Sequence, residues 1–196
     1  MNSPEIVEKL PSVVLKFSGL DYYPSELIIG GLELVEAALH DLEEGAITQA
    51  LKQNGGEEFI YAARAELDKV RRRHLQIYAA RDGCIEHWAI MGATSLWVLQ
   101  LTIGESMKEA YKKSPIHQQL SAFFSRDVRE LADDLSSHLT KNLRSAKRNT
   151  AFVVALSRVR LSVHVHDREP RVVMVSLAAT SEYESIPLSI LRPRRG

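Results

Sequence analysis

Hydrophobic residues recur every three or four positions in four long segments of the chain, which is the spacing of one-sided helices. The first segment carries this pattern at Leu27, Gly31, Leu34, Val35, Ala38 and Leu42. The pattern predicts helices over residues 25–53, 57–80, 84–112 and 115–147. Short connections between long helices favour an antiparallel bundle in which consecutive helices are neighbours.

Residues that break or begin helices mark the ends of two of these segments. Asn54, Gly55 and Gly56 supply the left-handed backbone conformations that end a helix. Ser114 is a capping residue, and Pro115 suits the first helical position. The first predicted helix therefore ends near residue 53, and the fourth begins near residue 115.

The period changes from helical to two beyond residue 149, which predicts β-strands. The apolar positions are Val159, Leu161, Val163 and Val165, and they alternate with Arg158, Arg160, Ser162, His164 and His166. The pattern predicts a turn at 167–170, a second strand at 171–179 and a third at 186–191. The predicted fold class is α+β: a mostly helical antiparallel four-helix bundle with a small C-terminal antiparallel β-hairpin or sheet.

The predicted elements divide the chain into four parts. Residues 1–24 are an irregular N-terminal segment, and residues 25–148 are the helical bundle. Residues 149–191 form a small β appendage packed on the bundle, because an isolated hairpin is marginal in water. Residues 192–196 are a basic tail, which contains three arginines.

The most apolar stretch, Trp88 to Gly104, is shorter than the roughly 20 residues that a membrane span needs. It also contains Thr94 and Ser95, so we expect a buried central helix and no membrane association. The single cysteine, Cys84, excludes an internal disulfide and a cysteine-built zinc site. The N-terminal residues lack the pattern of a secretory signal. We therefore expect a cytoplasmic protein.

The net charge is zero, but the two signs are unevenly distributed. Residues 1–68 contain thirteen Asp and Glu against four Lys and Arg, and residues 69–196 contain twelve against twenty-one. The acidic part can cover the basic part within the fold. Alternatively, a basic face meets phosphate or an acidic partner.

The segment from Arg81 to His87 contains the most specific candidate chemistry. An imidazole that titrates near neutral pH moves protons to or from a ribose hydroxyl. A guanidinium, which is permanently charged, stabilises a crowded phosphorane. If the segment begins the third helix, Arg81 and His87 approach one surface, and the pair supports cleavage of RNA without a metal.

This segment resembles the R-polar-x4-H motif of the HEPN superfamily, whose members are helical bundles. Arg81 matches the motif arginine, Asp82 its polar second residue and His87 its histidine; the acidic LELVEAALHDLEEG helix is also similar. The resemblance covers roughly residues 25–147. It implies a metal-independent endoribonuclease that acts as a homodimer without a cofactor. His87 would be the general acid and base, Arg81 would stabilise the phosphorane, and Asp82 would orient one of them or the substrate.

The expected substrate is single-stranded RNA, because in-line attack by the 2′-hydroxyl needs a flexible backbone. Candidate RNA-binding residues precede the motif: Lys69, Arg71, Arg72 and Arg73. The resemblance also implies a toxin or defence effector restrained by a protein partner. The exposed strands at 158–177 offer that partner an edge for docking.

Other interpretations of the same residues stay open. Residues 81–83 are equally an exposed turn, with His87 paired to Glu86 or to a backbone carbonyl. His164 and His166 resemble a metal site, but the arginines on the same strand face oppose a dication, so we predict no metal. The alternative function is a non-catalytic interaction, adaptor or neutralising protein that assembles through its charge-asymmetric surface.

Overall fold

The structure is a computed structural model of the 196-residue chain. It describes residues 10–19, 23–70, 76–81, 84–103, 113–146, 150–157, 159–166 and 171–179. The helices are α1 (Ser25–Gln53), α2 (Ile60–Val70), α3 (Ala93–Ile103), α4 (Pro115–Ser125), α5 (Val128–Ala146) and α6 (Thr150–Leu156). The strands are β1 (Ser12–Ser18), β2 (Gln76–Arg81), β3 (Cys84–Ile90), β4 (Val159–His166) and β5 (Val172–Ala179). The predicted α+β class, with helix as the larger part, is confirmed.

The five described strands form one mixed sheet in the order β2-β3-β1-β5-β4. β1 is parallel to β5, and every other neighbouring pair is antiparallel. The predicted C-terminal antiparallel hairpin, β4 with β5, is therefore confirmed. It does not stand as an appendage, because β5 pairs with β1 along the whole of that strand.

The core lies between the sheet and the helices. Side chains alternate across a strand, and Val13, Leu15 and Phe17 of β1 belong to the buried core. Their neighbours in the core include Leu177 of β5, and Gly31 of α1 approaches both Phe17 and Leu177. This inner face of the sheet is therefore the face against which α1 packs.

The prediction that residues 1–24 are irregular is wrong for Ser12–Ser18, which form β1. Val13, Leu15 and Phe17 have the period-two pattern of a strand. β1 pairs with β3 on one side and β5 on the other, so it lies at the centre of the sheet. Its strand conformation depends on partners more than 65 positions away along the chain.

The second and third predicted helices are wrong over residues 76–80 and 84–90, where the chain forms the strands of the β2–β3 hairpin. The second helix ends at Val70, and the third begins at Ala93. The local helical preference of these residues is overridden because β3 pairs with β1 and β2 pairs with β3. Strand formation depends on neighbouring strands as much as on local preference. The antiparallel four-helix bundle is not confirmed.

The predicted start of the fourth helix is confirmed. Ser114 caps α4, and its Oγ accepts a hydrogen bond of 3.2 Å from the backbone N–H of His117. The single helix predicted over 115–147 is instead divided at Arg126 and Asp127 into α4 and α5. The predicted turn at 167–170, the third strand at 186–191 and the tail at 192–196 lie outside the described residues.

The stretch from Trp88 to Gly104 is not one buried helix. It comprises the end of β3, a turn at Met91 and Gly92, and the eleven residues of α3. No helix in the described part of the chain has the length and apolar character required to cross a membrane.

Two glycines of α1 provide a matched test of the packing of this helix. A methyl group at Gly30 would overlap the ring of Phe152, whereas one at Gly45 would meet no atom within 4 Å. We expect Gly30→Ala to lower the free energy of unfolding by about 1–3 kcal/mol through overpacking. Gly45→Ala should raise it by about 0.5–1 kcal/mol, because alanine favours the helix. Urea unfolding measures both; equal stability of the two variants would contradict the packing of α6 on α1.

Candidate functional site

The structure does not bring Arg81 and His87 to one surface. Arg81 ends β2 and pairs with Cys84, the first residue of β3. His87 is three positions further along β3, and positions an odd number apart on a strand belong to opposite faces. The register therefore assigns positions 81 and 87 to opposite faces of the sheet. The helix start that the ribonuclease hypothesis requires is replaced by a hairpin.

His87 is sealed on the inner face of the sheet, and its exposed fraction is 5%. It lies opposite Leu15 of β1, and its ring meets the ring of Phe17 edge-on, with centroids 6.3 Å apart. Burial lowers the pKa of His87 below its usual 6.5. Among the described residues, its Nε2 atom has no hydrogen-bond partner. These surroundings favour a neutral imidazole that solvent does not reach.

Of the other predicted site residues, the structure describes only Lys69. Asp82, Arg71, Arg72 and Arg73 lie outside the described residues. Lys69, near the end of α2, is exposed and forms an ion pair with Glu66. The predicted basic cluster is thus represented by one residue, and its RNA-binding role stays a prediction.

The histidines of β4 are exposed side chains on the outer face of the sheet. Nε2 of His164 lies 2.9 Å from Oγ of Ser162, within hydrogen-bond distance. Across residues 10–179, as far as the structure describes them, no three His, Cys, Asp or Glu side chains are grouped to hold a metal ion.

A polar groove of about 530 Å³ lies between α1, α2 and α5. Most of its charged side chains pair with one another. Arg64 Nε is 2.7 Å from Glu44, and Asp41 lies 3.8 Å from His138 and 3.9 Å from Lys141. This pairing links the three helices and accounts for most of the charged side chains of the groove without a ligand; Lys52 also lines it.

The outer edge of β4 is the more distinctive surface. β5 occupies one side of β4 along all eight residues. No described residue forms a backbone hydrogen bond to the other side. An unpaired strand edge is a template for another strand.

The two faces of this edge differ in chemistry. Leu161 and Val163 are half-buried against the core, and Val165 is 37% exposed. On the opposite face Arg160, His164 and His166 are exposed. The strand has an apolar row beside a row of hydrogen-bond donors, and it contains no Asp or Glu.

Sequence analysis did not single out Glu43, which is the most perturbed titratable group described. Glu43 is 2% exposed within α1, and Oε1 accepts a 3.0 Å hydrogen bond from the backbone N–H of Gly92. Burial raises the pKa of Glu43 to about 8, although hydrogen bonds from Gly92 and Ser95 act in the opposite direction. The available signal was an acidic residue placed on the buried stripe of α1, one position after Leu42.

Protein-family models, curated proteins and solved structures give no match to this chain. The HEPN resemblance therefore stays a prediction that these comparisons do not test.

Glu43 makes stability depend on pH in a defined direction. Its folded pKa, about 8, lies above the value of 4.5 for a free glutamate, so the folded state binds the proton more tightly. The resulting stabilisation is fully present below about pH 4.5 and is lost as the pH rises through 8. Relative to Glu43→Gln, the wild-type free energy of unfolding should fall between pH 5 and 8 by up to about 1.4 kcal/mol per pH unit.

The control for this experiment is Glu33→Gln, the same substitution at an exposed position of α1. Urea unfolding at several pH values compares the three proteins. The control should follow the wild type. A Glu43→Gln variant that also follows the wild type would show that the carboxyl is not buried as described.

Proposed function

We propose that this chain is an interaction protein that binds a protein partner by adding one of the partner's strands to the outer edge of β4. The observation that carries the proposal is the unpaired side of β4, next to the partly buried Leu161 and Val163 and the exposed Val165. Strand addition uses backbone hydrogen bonds for affinity and alternate side chains for specificity. This edge supplies both.

Pairing with the rest of the sheet holds β4 in an extended conformation, which favours the binding of another strand. β4 is paired to β5 over its full length, and β5 in turn pairs with the central strand β1. The binding backbone is therefore ordered before the partner arrives. Binding to an ordered template avoids most of the entropy that a flexible segment loses on association.

The apolar row of β4 supports an added strand on energetic grounds. Val159 is 7% exposed at the start of β4, but Val165 near its end is 37% exposed. The burial of apolar area contributes about 25 cal/mol per Å². A strand beside β4 would cover the flanks of Leu161, Val163 and Val165 while pairing the free backbone groups.

The HEPN-type ribonuclease remains the competing prediction. It requires Arg81 and His87 at one solvent-filled surface, whereas the exposed fraction of His87 is 5%. The interaction proposal needs no chemistry at this pair. The homodimer and the effector role that the resemblance implies stay predictions as well.

Blocking the edge tests the proposal. Displayed eight-residue peptides are selected against the full chain, and their affinities are then measured by fluorescence anisotropy. A lysine that points inward on an edge strand opposes strand addition, so Val165→Lys should weaken binding about tenfold or more, equivalent to 1.4 kcal/mol. The control is Tyr61→Lys, which adds the same charge at an 85% exposed residue of α2.

The peptides themselves provide a second control. Two versions of each peptide are made, one N-methylated at the odd-numbered backbone amides and one at the even-numbered amides. Adjacent amides of a strand point to opposite sides, so one version should lose binding and the other should keep it. The proposal is wrong if the selected peptides bind Val165→Lys as tightly as the wild type, or if the two N-methylated versions of a peptide bind equally well.

A separate assay tests the competing function. The purified chain is incubated with labelled single-stranded RNA and a chelator. We expect no cleavage that depends on His87, because its imidazole is sealed from solvent. Cleavage by the wild type that is lost in a folded His87→Asn variant would establish the ribonuclease and overturn the present assignment.

A further inference from the structure

We infer that the partner strand alternates apolar residues with Asp or Glu, and that its carboxylates face Arg160, His164 and His166 of β4. This inference rests on the proposed docking at β4 and specifies its occupant. The three side chains are exposed, and each is separated from the next by two or four positions. Residues at such spacing lie on one face of a strand.

The pairing inside the sheet leaves these donors without opposite charge. The residues of β5 that stand opposite Arg160, His164 and His166 are Ala178, Met174 and Val172. Ser162 stands opposite Ser176. None of these is acidic, so a complementary carboxylate on the same face belongs on the outer side, where a new strand would lie.

The described ion pairs agree with this arrangement. Arg160, His164 and His166 take part in none of the salt bridges found within the described ranges. Opposite charges at directly paired positions of neighbouring strands are favourable, and like charges are unfavourable. A partner with alternate carboxylates gains one such pair at Arg160 and can accept hydrogen bonds from the imidazole N–H groups of His164 and His166.

The inner face sets the other half of the pattern. Leu161, Val163 and Val165 lie on the face turned towards the core, and they pair across the sheet with Leu177, Val175 and Val173. A strand on the outer side meets this apolar row with every second residue. The partner is therefore apolar at one set of alternate positions and acidic at the other.

A second copy of this chain fits the edge less well. Antiparallel pairing of β4 with itself about Val163 would place Arg160 opposite His166 of the second copy. The polar face would then contain cationic and donor groups on both strands and no acceptor carboxylate. Charge complementarity favours a foreign acidic strand.

Three synthetic eight-residue peptides test the charge of the partner. One alternates Val with Glu, one Val with Thr and one Val with Lys, and all have capped termini. We expect the Glu peptide to bind the full chain about fivefold more tightly than the Thr peptide at low salt, from a cross-strand ion pair with Arg160 and hydrogen bonds from His164 and His166. The Lys peptide should bind more weakly than the Thr peptide.

A charge reversal makes the test specific to this edge. Arg160→Glu should reduce or reverse the preference for the Glu peptide over the Lys peptide. Lys69→Glu produces the same change in net charge at an exposed residue of α2 and should leave the order unchanged. Circular dichroism confirms that both variants are folded.

The outcomes separate this inference from the proposal on which it rests. If the Thr peptide binds as tightly as the Glu peptide and Val165→Lys abolishes this binding, docking at β4 is supported. The inference that the partner strand is acidic is then wrong. If none of the three peptides binds, the inference that the partner strand is acidic is wrong. Docking at β4 is then tested separately by the peptides selected by display.

Two further results would assign the edge to another occupant and overturn the inference. A concentration-dependent dimer that is lost in Val165→Lys would assign it to a second copy of the chain. Peptide binding that appears only after proteolytic removal of residues 180–196 would assign it to the chain's own C-terminal residues.

Discussion

The contact of α1 with the centre of the sheet is the interaction on which the rest of the structure depends. At Gly31, a Cβ atom would lie 2.8 Å from Leu177 of β5 and 3.1 Å from Phe17 of β1. These two strands come from opposite ends of the chain and run parallel. Parallel strands need cover over their apolar faces, and α1 provides it where the two strands meet. The absence of a side chain at residue 31 allows this close approach.

This central contact also determines where the sheet is left open. With β3, β1 and β5 in the interior, β2 and β4 are the edges of the described sheet. Burial of the inner face decreases along β4, from Val159 at 7% exposed to Val165 at 37%. The cover therefore thins towards the end of β4, and the apolar edge follows from the extent of the helical layer.

The local part of this fold was predictable, and the long-range part was not. The buried stripe of α1, the cap at Ser114 and the alternation in β4 are read within a few residues, and the structure confirms each of them. The helical pattern that predicts a helix as far as residue 80 is misleading over residues 76–80, because pairing of β2 with β3 decides their conformation. The same error affects the candidate site. Arg81 and His87 share a surface only if their segment is helical.

The buried carboxyl of Glu43 connects a locally predictable helix to a turn that is distant in the sequence. Glu43 belongs to the stripe of α1, yet its carboxyl accepts the N–H of Gly92, 49 positions away, where β3 gives way to α3. Gly92 has a φ of 80°, and a Cβ atom there would overlap Phe124 of α4. A left-handed residue held by a buried carboxyl and packed under an aromatic ring cannot continue a helix. These contacts between α1, α3 and α4 therefore explain why the apolar stretch from Trp88 divides into strand, turn and helix. Hydrophobic periodicity alone does not predict this division.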